Sequence, residues 1–282
     1  MSTTDAQDSA ATAGATAGAI ALAHSSGSSA SVTAYGAQVL SWIDTEGRER
    51  IYLSRRAHSG DGAAIRGGIP VIFPQFGTGP LPKHGLLRTR RWSLVSHTES
   101  AVSFRVTDDD STRSVWPYPF LAELSVELSV TLRVRLKITN TGDSRFTFAA
   151  ALHNYFAVDS IDSARIVGVA GLTYIDKTAA GTRCVEESPG LQIRSETDRV
   201  YMAGPREVGI ACAMGSSSTS IEAHGFGDWV VWNPWRNGTA ALTDMEPDDY
   251  RRMLCLEIAR VTDPVELEPG ATWVGEEVIT SS

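Results

Sequence analysis

The 282 residues are enough for one large β domain or two ordinary domains, and the formal net charge is −8 at pH 7. This acidity argues against a nucleic-acid surface and means that any anion site must be locally basic. Three cysteines without a CxxC spacing or a nearby histidine pair argue against a disulfide framework or a zinc site, and they favour a reducing cytoplasm. Neither a transmembrane helix nor a signal peptide is indicated, so no contact with a membrane is expected.

The N-terminal part of the chain changes character near Ile20. Residues 1–18 are rich in Ala, Ser, Thr and Gly and are predicted to be a disordered tail, because they hold too little apolar surface to offset the cost of ordering. Four strand-like runs follow, IALAH, SVTAYG, QVLSWID and RIYLS, separated by Gly, Ser or charged turns. Further on, RWSLVSH and AVSFRV predict a hairpin.

The clearest periodicity runs from Leu124 to Ile138, where apolar and polar residues alternate without a slip. Such a period of two indicates an antiparallel sheet with one buried and one solvated face. The run is long for one strand, which raises the alternative of a bend or hairpin near Ser129. Asn140 to Asp143 then predict a turn.

The second half of the chain reads as further short strands. Residues 146–158 predict a buried strand that carries His153, and residues 253–259 and 273–279 predict the last two strands. Helix is indicated only in DDYRRM near Tyr250 and in a short turn around Asp159. About fourteen strands with so little helix predict an all-β fold, a large antiparallel β-sandwich or supersandwich that forms one domain over residues 19–282.

A Gly- and Pro-rich segment, RGGIPVIFPQFGTGPLPKHGLLR from Arg66 to Arg88, predicts a rigid loop that presents polar groups. These groups suit hydroxyls and anions, and they include Gln75, Lys83 and His84. Arg66 and Arg88 are the candidates for binding a phosphate, because guanidinium groups pair with phosphate oxygens in a bidentate manner. The alternative for both arginines is an ordinary surface salt bridge, and His84 has the alternative of a purely structural role.

Two buried polar residues could carry acid–base chemistry. His153 lies in an apolar, aromatic strand, where it is either a core histidine with satisfied hydrogen bonds or a proton donor and acceptor. Glu257 lies in MLCLEIA, where it is either half of a buried ion pair with an arginine or a base whose pKa is set by burial. The residues alone leave these alternatives open.

Several motifs in order resemble the aldose 1-epimerase superfamily, and specifically its hexose-6-phosphate mutarotase branch. They are RGGIPVIFPQFG with HGLLR, then HNYF, YIDK, ETDRVY, VVWNPW and MLCLEIA, and the resemblance extends from about Tyr35 to the C-terminus. It implies a galactose mutarotase-like supersandwich and an isomerase that needs no metal and no cofactor.

The resemblance also implies roles for individual residues. Glu257 is expected to be the base toward the C1 hydroxyl of a sugar, and His153 the acid toward the ring oxygen. Arg66, Gln75, His84, Arg88 and Asp198 are expected to bind the substrate.

The leading hypothesis is a monomeric cytoplasmic enzyme that interconverts the anomers of glucose 6-phosphate or a close relative, without nucleic-acid or membrane partners. One alternative is a mutarotase for free aldohexoses, against which Arg66 and Arg88 argue. The other is a carbohydrate-binding β-sandwich without catalysis, for which His153 and Glu257 would be unnecessary.

Overall fold

A computed structural model of the chain describes residue 16 and residues 18–60, 62–212 and 218–282. The predicted tail, residues 1–18, lies outside the described part apart from residues 16 and 18. Within the described part, no helix is long and apolar enough to cross a bilayer. The strands are β1 (Ile20–Ala23), β2 (Ser29–Val32), β3 (Val39–Ile43), β4 (Val71–Ile72), β5 (Ser93–His97), β6 (Ala101–Thr107), β7 (Phe120–Leu128), β8 (Leu132–Asn140), β9 (Phe146–Leu152), β10 (Tyr155–Ala157), β11 (Arg165–Val167), β12 (Thr173–Asp176), β13 (Thr182–Val185), β14 (Gly190–Leu191), β15 (Thr197–Tyr201), β16 (Glu207–Ala211), β17 (Thr219–His224), β18 (Asp228–Asn233), β19 (Met253–Leu267) and β20 (Thr272–Ser281).

The long alternating run forms a hairpin. It divides into β7 and β8, which pair from Phe120↔Asn140 to Leu128↔Leu132 around a turn at residues 129–131. The apolar positions are buried and the intervening ones are at least partly exposed, as the period of two predicts. Each fully buried Leu or Val of this kind contributes about 1.5–3 kcal/mol. The hairpin near Ser129 is therefore confirmed, as is the hairpin of β5 with β6.

Three antiparallel sheets organise the chain. The order is β1-β2-β3 in the first, β13-β12-β15-β18-β19-β9-β4 with β10 beside β19 in the second, and β14-β11-β16-β17-β20-β8-β7-β6-β5 in the third. The second and third sheets contribute side chains to one apolar core, for example Phe148 and Ile258 from the second sheet and Leu124 and Ile279 from the third. The predicted all-β, antiparallel fold is confirmed.

Some local predictions are wrong. RIYLS forms only isolated bridges, through Ile51 and Leu53, instead of a fourth early strand. Residues 146–158 form two strands, β9 and β10, and the interruption lies at His153 and Asn154. In both places the apolar composition favours a continuous strand. Composition does not show whether the backbone amides pair with a neighbouring strand or with a loop, so the sequence could not predict these interruptions.

The helices are short. Helix α1 (Asp110–Arg113) begins at Asp109 with a capping box, and helix α2 (Trp235–Ala240) follows β18 directly; neither is predicted. The predicted helix near Tyr250 is present as one 3₁₀ turn, Asp249–Arg251. Two more 3₁₀ turns, Leu87–Thr89 and Lys177–Ala179, lie in the segments that enclose the site described next.

Candidate active site

The register of β19 brings His153 and Glu257 together. β9 pairs through Leu152↔Ile258 and β10 through Tyr155↔Cys255, so His153 lies directly opposite Glu257. The next strand, β18, places Val230 beside Glu257 on the same face. Side chains directly opposite each other on antiparallel strands are in contact distance. The sheet therefore fixes this pair through its backbone pairing.

The pair is close and buried. His153 Nε2 lies 3.3 Å from Glu257 Oε1, and the two residues are only 7% and 1% exposed. His153 Nδ1 and Glu257 Oε2 have no hydrogen-bond partner among the described residues. His153 is thus not a core histidine with both nitrogens satisfied, and the side chain that faces the Glu257 carboxyl is an imidazole instead of an arginine.

A cavity of about 260 Å³ opens above this pair. This is near the lower end of the range of about 300–1,000 Å³ that is usual for small-molecule sites. Its lining residues are Arg66, Phe76, Gly77, Thr78, Lys83, His84, Arg88, His153, Tyr155, Lys177, Asp198, Val230, Trp232 and Glu257. Four of these side chains are basic and two are acidic, so the cavity is cationic within a protein of net charge −8. An anionic ligand suits such a site.

The Gly- and Pro-rich segment positions His84. Its backbone is left-handed at φ 65°, and its Nδ1 accepts from Gly77 N at 3.3 Å, so the proton of the neutral ring is on Nε2. The following Gly85 is also left-handed, and an added Cβ would lie 2.2 Å from Phe73 O. Glycine is therefore required there. The ring of His84 packs edge-on against His153, with the centroids 5.4 Å apart.

Arg66 and Arg88 both line the cavity, but their partners differ. Arg66 Nε donates to Asp244 Oδ2 at 3.1 Å and its Nη1 donates to Tyr155 Oη at 3.0 Å. Arg88 Nη2 donates to the carbonyl of Lys83 at 2.8 Å. Much of the charge of Arg66 is thus compensated by a carboxylate, whereas Arg88 is held by a neutral group and offers its charge to the cavity.

Gln75 does not line the cavity. Its amide accepts from Leu81 N at 3.0 Å and donates to Leu81 O at 3.1 Å and to Gly77 O at 3.2 Å. These bonds use both ends of the amide to hold the loop in shape. Gln75 therefore supports the wall that carries His84 instead of facing the cavity itself.

Asp198 lies on β15 opposite Trp232 and faces the cavity, and Lys177 Nζ is 4.0 Å from Asp198 Oδ1. Lys177 also lies over the ring of Phe76, 4.7 Å from its centroid. Lys177 is not among the predicted site residues, although it is the last residue of the YIDK motif. The signal that could have identified it is its position directly after a strand that leads into the site.

The site holds its titratable groups away from their ordinary pKa values. Burial, followed by the nearby His84 and Arg88, lowers the pKa of His153 well below its usual range. Burial, followed by the charge of Asp198, raises the pKa of Glu257 well above its usual range. The pKa of His84 falls to about 3 through burial and the charges of Arg88 and Lys83. Burial thus favours a neutral imidazole at His153 and a protonated carboxyl at Glu257, so the pair holds one shared proton, while His84 stays neutral.

One group could in principle hold a metal. A donor atom of Cys255 lies within 4.8 Å of those of His153 and Glu257. Burial, followed by the charge of Glu257, raises the pKa of the Cys255 thiol well above its usual range, whereas a metal requires the thiolate. The four basic side chains of the cavity oppose a second cation as well. The residues therefore fit a resident metal poorly, and its absence stays a prediction.

Comparisons with known proteins identify the family of this chain. A family model described as aldose 1-epimerase matches residues 18–280. A relative from Cenchrus ciliaris, provisionally named a glucose-6-phosphate 1-epimerase, is 34% identical over an alignment of 266 residues, and this alignment covers 89% of this chain and 81% of the relative.

Solved structures extend the match to the fold. A structure from Salmonella typhimurium, provisionally described as a mutarotase, has a TM-score of 0.84 at 26% identity and covers 90% of this chain and 87% of its own. A galactose mutarotase related enzyme from Lactobacillus acidophilus has a TM-score of 0.76 at 14% identity over 94% of this chain and 97% of its own, which supports the fold alone. The predicted galactose mutarotase-like fold is thereby confirmed, and this chain belongs to the aldose 1-epimerase family.

Proposed function

We propose that this protein is a hexose-6-phosphate mutarotase that interconverts the α and β anomers of glucose 6-phosphate or a close relative. The observation that carries the proposal is the His153–Glu257 pair, 3.3 Å apart, at the base of a cavity lined by four basic side chains. The pair accounts for an acid–base reaction, and the basic lining accounts for an anionic substrate. The name of the Cenchrus ciliaris relative supports the same substrate.

Anomer exchange needs one base and one acid that act on oxygens of the same carbon. In the proposed reaction, Glu257 removes the proton of the C1 hydroxyl while His153 gives a proton to the ring oxygen, and the bond from C1 to the ring oxygen breaks. Rotation about the bond from C1 to C2 precedes reclosure, in which both protons return along the same paths. The two oxygens are bonded to one carbon, so an acid and a base that almost touch are suitably placed.

Burial of the pair determines which residue holds the shared proton at each stage of the reaction. In the cyclic state the reacting pair is an imidazolium and a carboxylate, and after ring opening it is a neutral imidazole and a carboxylic acid. The lowered pKa of His153 and the raised pKa of Glu257 both favour the neutral forms, since burial penalises charge. In the resting enzyme the same preference puts the shared proton on Glu257, so this proton moves across the 3.3 Å to His153 before ring opening, and ring opening then returns the pair to its neutral forms.

The phosphate is proposed to bind the basic side chains of the cavity wall. Among the described residues, Arg88 donates its hydrogen bond to a neutral carbonyl, and Lys83 and Lys177 are exposed residues that also line the cavity. Together they can approach one dianion, while Asp198, the Nε2 proton of His84 and Arg66 are left for the sugar hydroxyls. Phe76 and Trp232 offer apolar surface to the C–H face of the ring.

The remaining expectations belong to the same proposal. The enzyme works without metal or cofactor, acts as a monomer in the cytoplasm and binds no nucleic acid. The single domain over residues 19–282 is proposed with it.

The direct test is anomer exchange measured by NMR on purified protein with glucose 6-phosphate and, in parallel, with glucose. We expect enzyme-dependent exchange on the phosphate at least about 10-fold above that on glucose at equal concentration, because charge-assisted bonds contribute about 1.5–3 kcal/mol each. Equal exchange on both sugars would favour the mutarotase for free aldohexoses. Binding of glucose 6-phosphate without any exchange above the buffer rate would favour the non-catalytic binding module.

A further inference from the structure

A buried amide lies directly behind the acid–base pair. In the register of β9 and β10 with β19, Asn154 lies opposite Leu256, one position from His153 on its strand and one position from Glu257 on the other. Successive residues of a strand face opposite sides, so Asn154 points into the core while His153 points into the cavity. Asn154 is fully buried.

The backbone ladder is interrupted at this place. His153 N donates to Pro70 O at 3.0 Å and Tyr155 N donates to Gly68 O at 3.0 Å, both on the side of the Gly- and Pro-rich segment. On the side of β19, Asn154 Nδ2 donates to Leu256 O at 3.2 Å. A side-chain amide thus joins the two strands between the paired ends of β9 and β10.

The same amide is held from the facing sheet. Asn154 Nδ2 also donates to Glu277 Oε2 at 2.8 Å, and Glu277 is a fully buried residue of β20. Glu277 Oε1 and Asn154 Oδ1 have no partner among the described residues. A buried carboxyl with one hydrogen bond destabilises a fold relative to an apolar side chain of similar size. Packing alone therefore gives no reason for a glutamate at this position.

We propose that Asn154, oriented by Glu277, is the positioning residue that holds His153 against Glu257. Its two hydrogen bonds fix the interrupted segment to the backbone of β19 and to the facing sheet, and the residues next to Asn154 and Leu256 are the two members of the pair. A shift of about 1 Å at a reacting group costs on the order of 100-fold in rate, so a device that prevents sliding between these strands has a catalytic effect.

The kinetic part of the test rests on the proposed mutarotase function. We expect Asn154→Ala to lower kcat for anomer exchange by about 10- to 100-fold while KM changes by less than about 3-fold, since Asn154 does not line the cavity. Glu277→Leu should also lower kcat, while the protein becomes more resistant to unfolding by urea. Glu277→Gln keeps an oxygen that accepts from Asn154 Nδ2, so its kcat should stay within about 3-fold of that of the unmodified enzyme.

A matched control is Asn140→Ala. Asn140 is another fully buried asparagine, whose Nδ2 donates to Ser144 O and Leu267 O outside the cavity lining. It should lose stability without a change of kcat. A purely structural role of Asn154 would make the two alanine variants alike, with kcat unchanged in both, and would overturn the proposal. So would an unchanged kcat in Glu277→Leu, or a failure of Glu277→Leu to fold.

An NMR measurement separates this proposal from the proposed function. The ring-nitrogen resonances of His153, assigned by comparison with His153→Ala, report its hydrogen bonding to Glu257 without any substrate. We expect them to shift in Asn154→Ala and in Glu277→Leu, and to stay in place in Asn140→Ala. If the unmodified protein exchanges no anomers but these shifts occur, the function fails and the positioning role stands. If exchange occurs and the His153 resonances stay in place in Asn154→Ala, the positioning role fails alone.

Discussion

At the scale of single residues, the site depends on His153 and Glu257. Burial lowers the pKa of the histidine and raises the pKa of the glutamate. A neutral imidazole and a carboxylic acid, 3.3 Å apart, share one proton in the empty cavity. His84 contributes no charge, because its pKa of about 3 keeps the ring neutral and its Nε2 proton available to an oxygen acceptor. Arg88, Lys83 and Lys177 supply the positive charge instead.

The first prediction concerns the pH dependence of kcat. The singly protonated pair is the active form, so activity is lost below the lowered pKa of His153, where a second proton binds, and above the raised pKa of Glu257, where the last proton leaves. We expect kcat at saturating substrate to show no inflection near pH 6.5 or near pH 4.5, the ordinary values of the two groups. A decline of kcat centred near pH 6.5, the ordinary pKa of histidine, would show that burial does not shift the pKa of His153. Saturation matters because a sugar phosphate itself ionises near pH 6.

The second prediction concerns recognition of the phosphate. Removal of a charge-assisted bond worth about 1.5–3 kcal/mol should lower kcat/KM for glucose 6-phosphate by roughly 10- to 100-fold in Arg88→Ala, with little change on glucose. Arg66→Ala should harm both substrates, because Arg66 also holds Tyr155 and Asp244 in place.

Arg91→Ala is the matched control, since Arg91 is exposed and lies outside the cavity lining. Equal losses of kcat/KM on glucose 6-phosphate and glucose in Arg88→Ala would show that Arg88 stabilises the loop and does not bind the phosphate.

At the scale of elements, the part of the sandwich whose residues alternate strictly between buried and exposed could be predicted. The hairpin of β7 and β8 follows from the period of two, and His153 and Glu257 stand out because polar groups in apolar strands are costly. Two features could not be predicted. The break between β9 and β10 depends on hydrogen bonds to Gly68 and Pro70, which are distant in sequence. The position of Lys177 in the cavity depends on the packing of the end of β12 against the loop that carries Phe76, which is distant in sequence.

The third prediction concerns the irregularity within β19. The register with β9 shifts between Arg260 and Val265, and the buried Asp228 accepts from Val261 N and Thr262 N at 2.8 and 2.7 Å. Asp228→Ala should lower the free energy of unfolding by about 2 to 3 kcal/mol, because two part-buried backbone amides lose their carboxylate acceptor. Urea unfolding provides the measurement.

The control for this prediction is Asp263→Ala in the same irregularity. Asp263 pairs with Arg260 but its side chain is 79% exposed, so its removal should change stability by less than about 0.5 kcal/mol. Similar losses in both variants would show that Asp228 has no special part in shaping β19.

At the scale of the whole molecule, the two larger sheets share one apolar core, and the buried contact of Glu277 with Asn154 joins them across it. Burial raises the pKa of Glu277 to about 8 from an ordinary value of 4.5. A carboxyl whose pKa is raised by folding adds stability below its unfolded value, and that stability is lost as the pH rises through the folded value. The free energy of unfolding therefore depends on pH through the protonation of Glu277.

The fourth prediction follows from this linkage. Between pH 4.5 and pH 8, the unmodified protein should lose stability relative to Glu277→Gln by a few kcal/mol, since each pKa unit corresponds to about 1.4 kcal/mol. Urea unfolding of both proteins across this interval checks the difference. A constant difference at all pH values would mean that Glu277 does not bind its proton in the folded state.

The central claim is that His153 and Glu257 exchange protons with a sugar phosphate, and Glu257→Gln tests it most directly. Glutamine keeps the size and the hydrogen bonding of the side chain but cannot accept the proton of the C1 hydroxyl. In NMR exchange experiments on glucose 6-phosphate, with the spontaneous rate in buffer subtracted, we expect a loss of about 10²- to 10⁴-fold in kcat with binding retained. Exchange by Glu257→Gln at close to the rate of the unmodified protein would contradict the account.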